Sequence, residues 1–371
     1  MTDRDALLSA IIANPEEDTP RLIFADWLQE NGQDRRAQFI RRQIEAAQAE
    51  PFSPAARMAT ATANRLLEGY RGEWTKTVRQ WVLEWNLARG FVERVTVNVV
   101  TFPRDAARLF AVEPIRSLQL VRPTSEDPPL FLDEFLETPQ LARVTRLSLF
   151  GFRLAPVEIE DVVKCHHLRN LTDLCLRACP VPVEWAREFL TGPWLPTLVD
   201  LDLSDVTHLG PRLAEVLPLA SNRRFRRLDL SRIAFTSDQM KRVLQCPCLS
   251  EVEELRIGWM TGGGREGALT YLDLGWVIPW NRLRLLDLNS QRVGDGGVEE
   301  IVRELNRQPG ESPLRWLGLA NTGLTASSVR MLIRTPESKL KLFHLDLRGN
   351  NLELAQQTAL VGRFPDAVIE T

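Results

Sequence analysis

The chain has 371 residues, of which 44% are hydrophobic and 26% charged, and a formal net charge of −3 at pH 7. This much apolar material excludes a disordered chain, and the near-even charge balance excludes a global basic field able to hold a nucleic-acid backbone. The acidic N-terminus and the absence of any 18-residue apolar window argue against a secretory signal and a membrane-spanning helix.

The first elements in chain order are helical. Leu7, Leu8, Ile11 and Ile12 mark a first helix that stops at Asn14-Pro15. Asp18 or Thr19 can cap a second, with Pro20 in its first turn, carrying Leu22, Ile23, Trp27 and Leu28 and ending at Asn31-Gly32. A third runs from about Asp34 to Ala47, with Ala37, Ile40 and Ile44 on one face. The segment DTPRLIFADWLQENGQDRRAQFIRRQ resembles the short repeat-companion domain that precedes leucine-rich repeats in many planctomycete proteins. The matching residues are Asp18, Thr19, Pro20, Arg21, Leu22, Ala25, Asp26, Trp27, Leu28, Gly32, Arg36, Ala37, Phe39 and Ile40. The resemblance implies a module over residues 1–48 and carries no biochemical activity with it.

Residues 49–91 are expected to form a helical and aromatic cap and linker. Ser53-Pro54 starts a helix reaching towards Tyr70, and Trp74, Trp81, Trp85 and Phe91 follow within a short stretch. Large rings at this place suit the sealing of a raw repeat end; an aromatic ligand cage is the sharper alternative.

From residue 92 onwards the sequence repeats itself. VTRLSLFGF, LTDLCLRAC, LVDLDLSDV, FRRLDLSRI and VEELRIGWM align without gaps, with central leucines Leu147, Leu174, Leu201, Leu228 and Leu255 spaced by 27 residues. Later copies centre on Leu286, Leu317 and Leu345, and weaker early ones on Val95 and Leu118. The pattern L-x-x-L-x-L-x-x-N-x-L, best kept by Leu342, Leu345, Leu347, Asn350 and Leu352, resembles the leucine-rich repeat. The resemblance implies an α/β horseshoe solenoid of the ribonuclease-inhibitor kind over residues 92–371, with about ten units. Each unit would lay down a short strand, turn, helix and return, and Ala367–Glu370 would form a final edge strand. Pro156, Pro182 and Pro211 sit near expected helix starts, and Thr236-Ser237-Asp238 offers N-cap side chains. The Asn slot is otherwise filled by Phe152, Cys179, Val206, Ile233, Met260, Gln291 and Thr322. The turns there must satisfy their own backbone groups or use water. LTYLDLGWV, with Leu272 and Leu274, falls too close to its neighbours to be a repeat and reads as part of a convex segment.

Strands stack at about 4.8 Å while packed helices need about 8–10 Å, so joining the two layers should curve the array with strands inside. Alternation leaves polar residues on that concave face.

Nothing in the sequence composes a catalytic or metal site. Cys165-His166-His167 with Cys175 and Cys179 invites zinc, yet Cys179 occupies an inward slot and Cys175 the concave face. Cys165 and Cys246 share one structural slot with Leu219, which reads as core. The five cysteines, an odd number, fit reduced thiols and a cytoplasmic chain. Cys246-Pro247-Cys248 is no redox motif, and Gly262-Gly263-Gly264 is no phosphate loop. Asp202, Asp229, Asp287 and Asp346 recur between paired leucines and read as a solvated lattice rather than a site.

The expected function is therefore non-catalytic protein recognition on the concave face, without cofactor or metal, by a monomer that contacts neither nucleic acid nor membrane. The candidate contact residues are Arg227, Arg232, Arg256, Trp259, Asp287, Arg315, Trp316, Phe343, His344 and Arg348. Trp259 reads equally as an exposed anchor or as a ring tucked against the next unit. Fold analogy alone suggests the alternative, a specific inhibitor or regulator of one enzyme, as in ribonuclease inhibitor or leucine-rich GTPase activators.

Overall fold

Leu118 and Leu147, two of the repeat leucines, sit opposite each other in adjacent parallel strands, as the aligned copies require. In this computed structural model the described residues are 2–121, 132–151, 156–179, 181, 183–193, 195–206, 209–258 and 278–371. Trp259, Leu272, Leu274 and Gly262-Gly263-Gly264 lie outside them. The chain divides into two compact units, Met1–Leu149 with Asp161–Leu171, and Phe150–Glu160 with Thr172–Thr371.

The first unit begins with helices α1 (Asp3–Ala13), α2 (Thr19–Glu30), α3 (Asp34–Gln48) and α4 (Pro54–Leu67), close to the expected bounds, and a short α5 (Arg71–Trp74). Three of these boundaries have a local cause. Thr2 and Asp5 form a capping box on α1, Ser53 caps α4, and Gly32 ends α2 at φ 74°. Asp18 flanks α2 without bonding its first turn. Ile11, Phe24, Leu28, Ile40 and Ile44 form one apolar core with Phe91.

Phe91 opens the first departure from expectation. The segment 49–91 is not helical to its end: β1 (Glu84–Ala88) pairs antiparallel with β2 (Phe91–Asn98) through a two-residue turn. Arg89 and Gly90 both have positive φ, 47° and 91°, as a tight hairpin of type I′ demands. A Cβ on Gly90 would fall 2.4 Å from Ile40 Cγ1, so the turn needs glycine for contact with α3 as well as for its torsion. The tryptophans serve packing: Trp74 lies 5.1 Å from Phe39 and 5.3 Å from Tyr70 between ring centroids. α6 (Phe102–Val112), β3 (Ser117–Val121), α7 (Asp133–Leu136) and β4 (Arg146–Ser148) follow, with β2, β3 and β4 parallel in chain order. α8 (Pro156–Lys164) begins on the expected proline.

The second unit is a regular array. Its strands are β5 (Asp173–Cys175), β6 (Asp200–Asp202), β7 (Arg227–Asp229), β8 (Glu254–Arg256), β9 (Leu285–Asp287), β10 (Trp316–Gly318), β11 (His344–Asp346) and β12 (Val368–Glu370). They are parallel in chain order, in register through Leu174, Leu201, Leu228, Leu255, Leu286, Leu317, Leu345 and Ile369. The helices are α9 (Val183–Thr191), α10 (Gly210–Val216), α11 (Ser237–Leu244), α12 (Gly294–Arg307), α13 (Ala326–Arg334) and α14 (Leu354–Arg363). Thr236 and Gln239 make the capping box of α11.

Six of the described repeats leave their strand in the same way. Ala178, Asp205, Arg232, Ser290, Asn321 and Gly349 occupy one slot and all have positive φ, between 53° and 72°. Side chains other than Gly are rare there, with Asn and Asp the best tolerated. The conformation keeps the ladder going. The amides of Ala178, Asp205, Arg232, Ser290 and Asn321 donate to Ser204, Ser231, Gly258, Ala320 and Arg348, one repeat on.

The Asn slot resolves partly by substitution. Asn350 Oδ1 accepts from the Thr322 and Leu324 amides, and Nδ2 donates to the Leu319 and Leu347 carbonyls. Gln291 donates across the repeat to Ile257 O at 2.7 Å, and Thr322 Oγ1 to Leu319 O at 2.6 Å. Cys179, Val206 and Ile233 fill their slots as buried apolar groups.

Candidate functional site

On β5 to β11 the central Leu is buried, and on β5, β7 and β8 both of its neighbours are half-exposed on the opposite face; on β6, β10 and β11 one neighbour is, and on β9 neither. The register sets these neighbours in two columns. The first holds Asp173, Asp200, Arg227, Glu254, Leu285, Trp316, His344 and Val368; the second holds Cys175, Asp202, Asp229, Arg256, Asp287, Gly318, Asp346 and Glu370.

The second column explains the recurrent aspartates. Asp202, Asp229, Asp287 and Asp346 each accept the backbone N–H two residues on, from Ser204, Ser231, Asn289 and Arg348, at 2.8–3.2 Å. Such a bond satisfies the amide that leaves the strand. The solvated-lattice expectation needs correction here: Asp287 is 7% and Asp346 2% exposed. Burial pushes the Asp287 carboxyl up, opposed by the Asn289 amide and then Arg256. Burial also acts upward on Asp346, but hydrogen bonds from Arg348 and its charge bring that carboxyl below its ordinary value. Burial first, and the Asp202 charge second, raise Asp229 to about 6.

The arginines expected to greet a partner are already engaged. Arg227 reaches Asp173 at 2.7 Å and Asp200 at 2.6 Å; Arg348 reaches Asp346 at 2.7 Å and Glu370 at 3.0 Å. Arg256 stands 4.0 Å from Asp229 and 3.8 Å from Asp287, and Arg232 lies 3.6 Å from Asp205. Arg315 donates to the Ser312 and Leu314 carbonyls and lies 5.6 Å from the Phe343 ring centroid. Phe343 is only 4% exposed, so it offers no ring to a partner. It occupies the slot of Arg315 one repeat on and packs where an anchor was expected.

Trp316 is half-buried within a stack. Its ring is 5.0 Å from His344 and 7° from parallel with it, and the Arg256 guanidinium lies 5.5 Å from its centroid. Gly318 permits this arrangement, since a Cβ there would meet Trp316 Cζ3 at 2.6 Å. His344 Nε2 lies 3.5 Å from Glu370. The structure thus brings Arg256, Asp287, Trp316, His344 and Arg348 into one neighbourhood of β8–β12, with Arg227 farther along the sheet.

The described cysteines and histidines do not converge. Cys165 and Cys246 do share a slot, each donating Sγ–H to a carbonyl 29 residues earlier, Leu136 O and Leu217 O. Leu219 is 54% exposed and breaks the expected core equivalence. Cys175 Sγ lies 3.4 Å from Asp202 Oδ2 on the sheet face. Among the described residues no group of three His, Cys, Asp or Glu is placed to hold a metal ion, and no helix is long and apolar enough to cross a membrane.

No protein-family profile matches the sequence, and no curated protein matches it. One solved structure that resembles the chain is the crystal structure of the Rad7 and Elc1 complex in yeast, with 15% identity and a TM-score of 0.45. The match covers 75% of this chain and 68% of that one. The repeat leucines, their shared register and the strand–helix alternation define the class from the chain itself: a leucine-rich-repeat-like α/β solenoid.

Proposed function

We propose that this protein is a non-catalytic recognition scaffold that binds a protein partner across the open sheet face of its repeat unit. The N-terminal helices are, on this reading, a repeat-companion module joined to the array, and the chain works without a cofactor. One observation carries the reading: eight parallel strands set two columns of side chains on one face, of which Asp173, Cys175, Asp202, Arg227, Asp229, Glu254, Arg256, Trp316, His344 and Glu370 are half-exposed, while the leucines between the columns on β5 to β11 are buried. A face of this extent gives many weak contacts on a rigid frame, which is what repeat arrays offer a macromolecule.

The test is affinity capture from native lysate, identification of a stoichiometric partner, and its titration against purified variants. Trp316→Ala with Arg256→Ala removes the stack and should weaken that partner at least tenfold. Val361→Asp on α14, exposed at 57%, should leave its affinity within twofold. Equal affinity for all three proteins would overturn the proposal.

A further inference from the structure

The sheet face is not uniform in charge. Across β5–β8 its two columns hold Asp173, Asp200, Asp202, Asp229 and Glu254 against Arg227 and Arg256. These residues and Cys175 line a depression of about 250 Å³. Arg227 is spent on Asp173 and Asp200. Asp202 accepts from Ser204 and Cys175, and among the described residues no cation lies within ion-pair distance of it. Among the described residues the one cation near Asp229 is Arg256, at 4.0 Å, and Arg256 is shared with Asp287 at 3.8 Å. Burial first, and then the neighbouring Asp202 charge, hold the Asp229 carboxyl above its ordinary value.

Resting on the recognition role proposed above, we infer that the β5–β8 face docks a basic segment of a partner protein, seating a lysine or arginine between Asp202 and Asp229. Two neighbouring carboxylates in a part-buried depression repel each other, and an incoming ammonium or guanidinium relieves that repulsion while gaining charge-assisted hydrogen bonds. Complementary charge also steers the encounter and disfavours acidic competitors.

The experiment uses the full chain and two labelled 12-residue probes bearing a photo-crosslinker, one alternating Lys and Ser, the other Glu and Ser. The Lys peptide should bind and crosslink to β5–β8. Asp202→Asn with Asp229→Asn keeps the backbone-capping acceptors and should weaken it at least tenfold. Glu299→Gln with Glu337→Gln, the same charge change at exposed positions off the face, should change it less than twofold. Cys175→Lys, which supplies its own cation to the depression, should compete the peptide out. Equal loss in both double variants, crosslinks mapping elsewhere, or no binding would overturn the inference. Crosslinking of the Glu peptide to this face would discard the basic partner while keeping the recognition surface. Failure of the lysate-captured partner to respond to the sheet-face variants would discard the surface itself.

Discussion

The Arg21 guanidinium lies 2.7 Å from the Glu93 carboxylate, and its side chain has no exposed surface. Its Nη1 donates to the carbonyls of Arg89 and Ala88 and its Nη2 to that of Pro15, while Nε is buried without a partner among the described residues. Arg36 donates to Gly90 O on the same turn, and its guanidinium sits 4.7 Å from the Trp74 ring centroid. Two arginines from α2 and α3 therefore fix the β1–β2 turn, and Phe91 completes the helical core. Desolvation lowers the pKa of both, Arg36 to about 10, so each remains a cation at neutral pH.

Removing the first clamp should be costly. Arg21→Ala leaves Glu93 half-compensated by Arg89 and takes a donor from the Arg89 and Ala88 carbonyls, while Pro15 O keeps the one from Arg89. The expected loss is about 3–5 kcal/mol in urea unfolding, the range for breaking a buried pair from one side. Arg21→Lys should recover less than half of it, because one ammonium cannot reproduce the guanidinium fork. A loss below about 1 kcal/mol would reject the clamp.

Gly90→Ala tests the turn itself. The new methyl would meet Ile40 at 2.4 Å and occupy a backbone torsion of +91°. A destabilisation of about 2–4 kcal/mol is expected in thermal or urea melts. Gly69→Ala, where φ is +80° but nothing lies within 4 Å, should cost about 1 kcal/mol and so separates torsion from contact.

Glu113 should give the first unit a pH dependence. Burial raises its carboxyl from 4.5 to about 7, opposed by the Val92 amide and then by Arg36. A raised folded pKa means that stability is fully present below about 4.5 and is lost as pH climbs through about 7. The loss is on the order of 3 kcal/mol. Glu113→Gln keeps an acceptor for Val92 and cannot ionise. It should match the wild type at pH 4.5, exceed it at pH 8, and flatten the melting profile between them. A variant less stable than wild type at pH 8 would show that Arg36 needs the carboxylate more than burial penalises it.

How far the sequence foretells this structure depends on how local each cause is. The repeat leucines and the helix ends were legible because each follows from spacing or from a cap within four residues. The β1–β2 hairpin was not, since Arg89 is an unusual occupant of positive φ and β1, EWNLA, is half-exposed with no clean apolar alternation. Its real signal was Gly90, followed by the apolar FVERVTV. The aspartate column was visible as a repeat, but its role as a backbone acceptor depends on the turn two residues later. The site was the least legible part. Whether Arg227 or Arg256 is free depends on carboxylates that lie next to it only after folding; Arg227 and Asp173 are 54 residues apart. Phe343 was misplaced for the same reason, its cover being Arg315 from the preceding repeat.

Gly318 and Trp316 supply the last test, because the indole lies over a residue of its own strand. In Gly318→Ala the new Cβ would stand 2.6 and 2.7 Å from two ring atoms and 2.9 Å from Asn289 Oδ1. The ring is the movable party, since Asn289 is tied to the Ala320 amide and to Asp346. Overpacking of this kind typically costs about 1–3 kcal/mol. Trp316→Ala removes the obstacle, so Gly318→Ala in that background should cost at least about 1 kcal/mol less than alone, a coupling that a double-mutant cycle in urea measures. The single Gly318→Ala should also lift the indole from His344 and Arg256, weakening the captured partner towards the Trp316→Ala value. Additive stabilities with unchanged partner affinity would mean that the stack neither constrains Gly318 nor serves the surface.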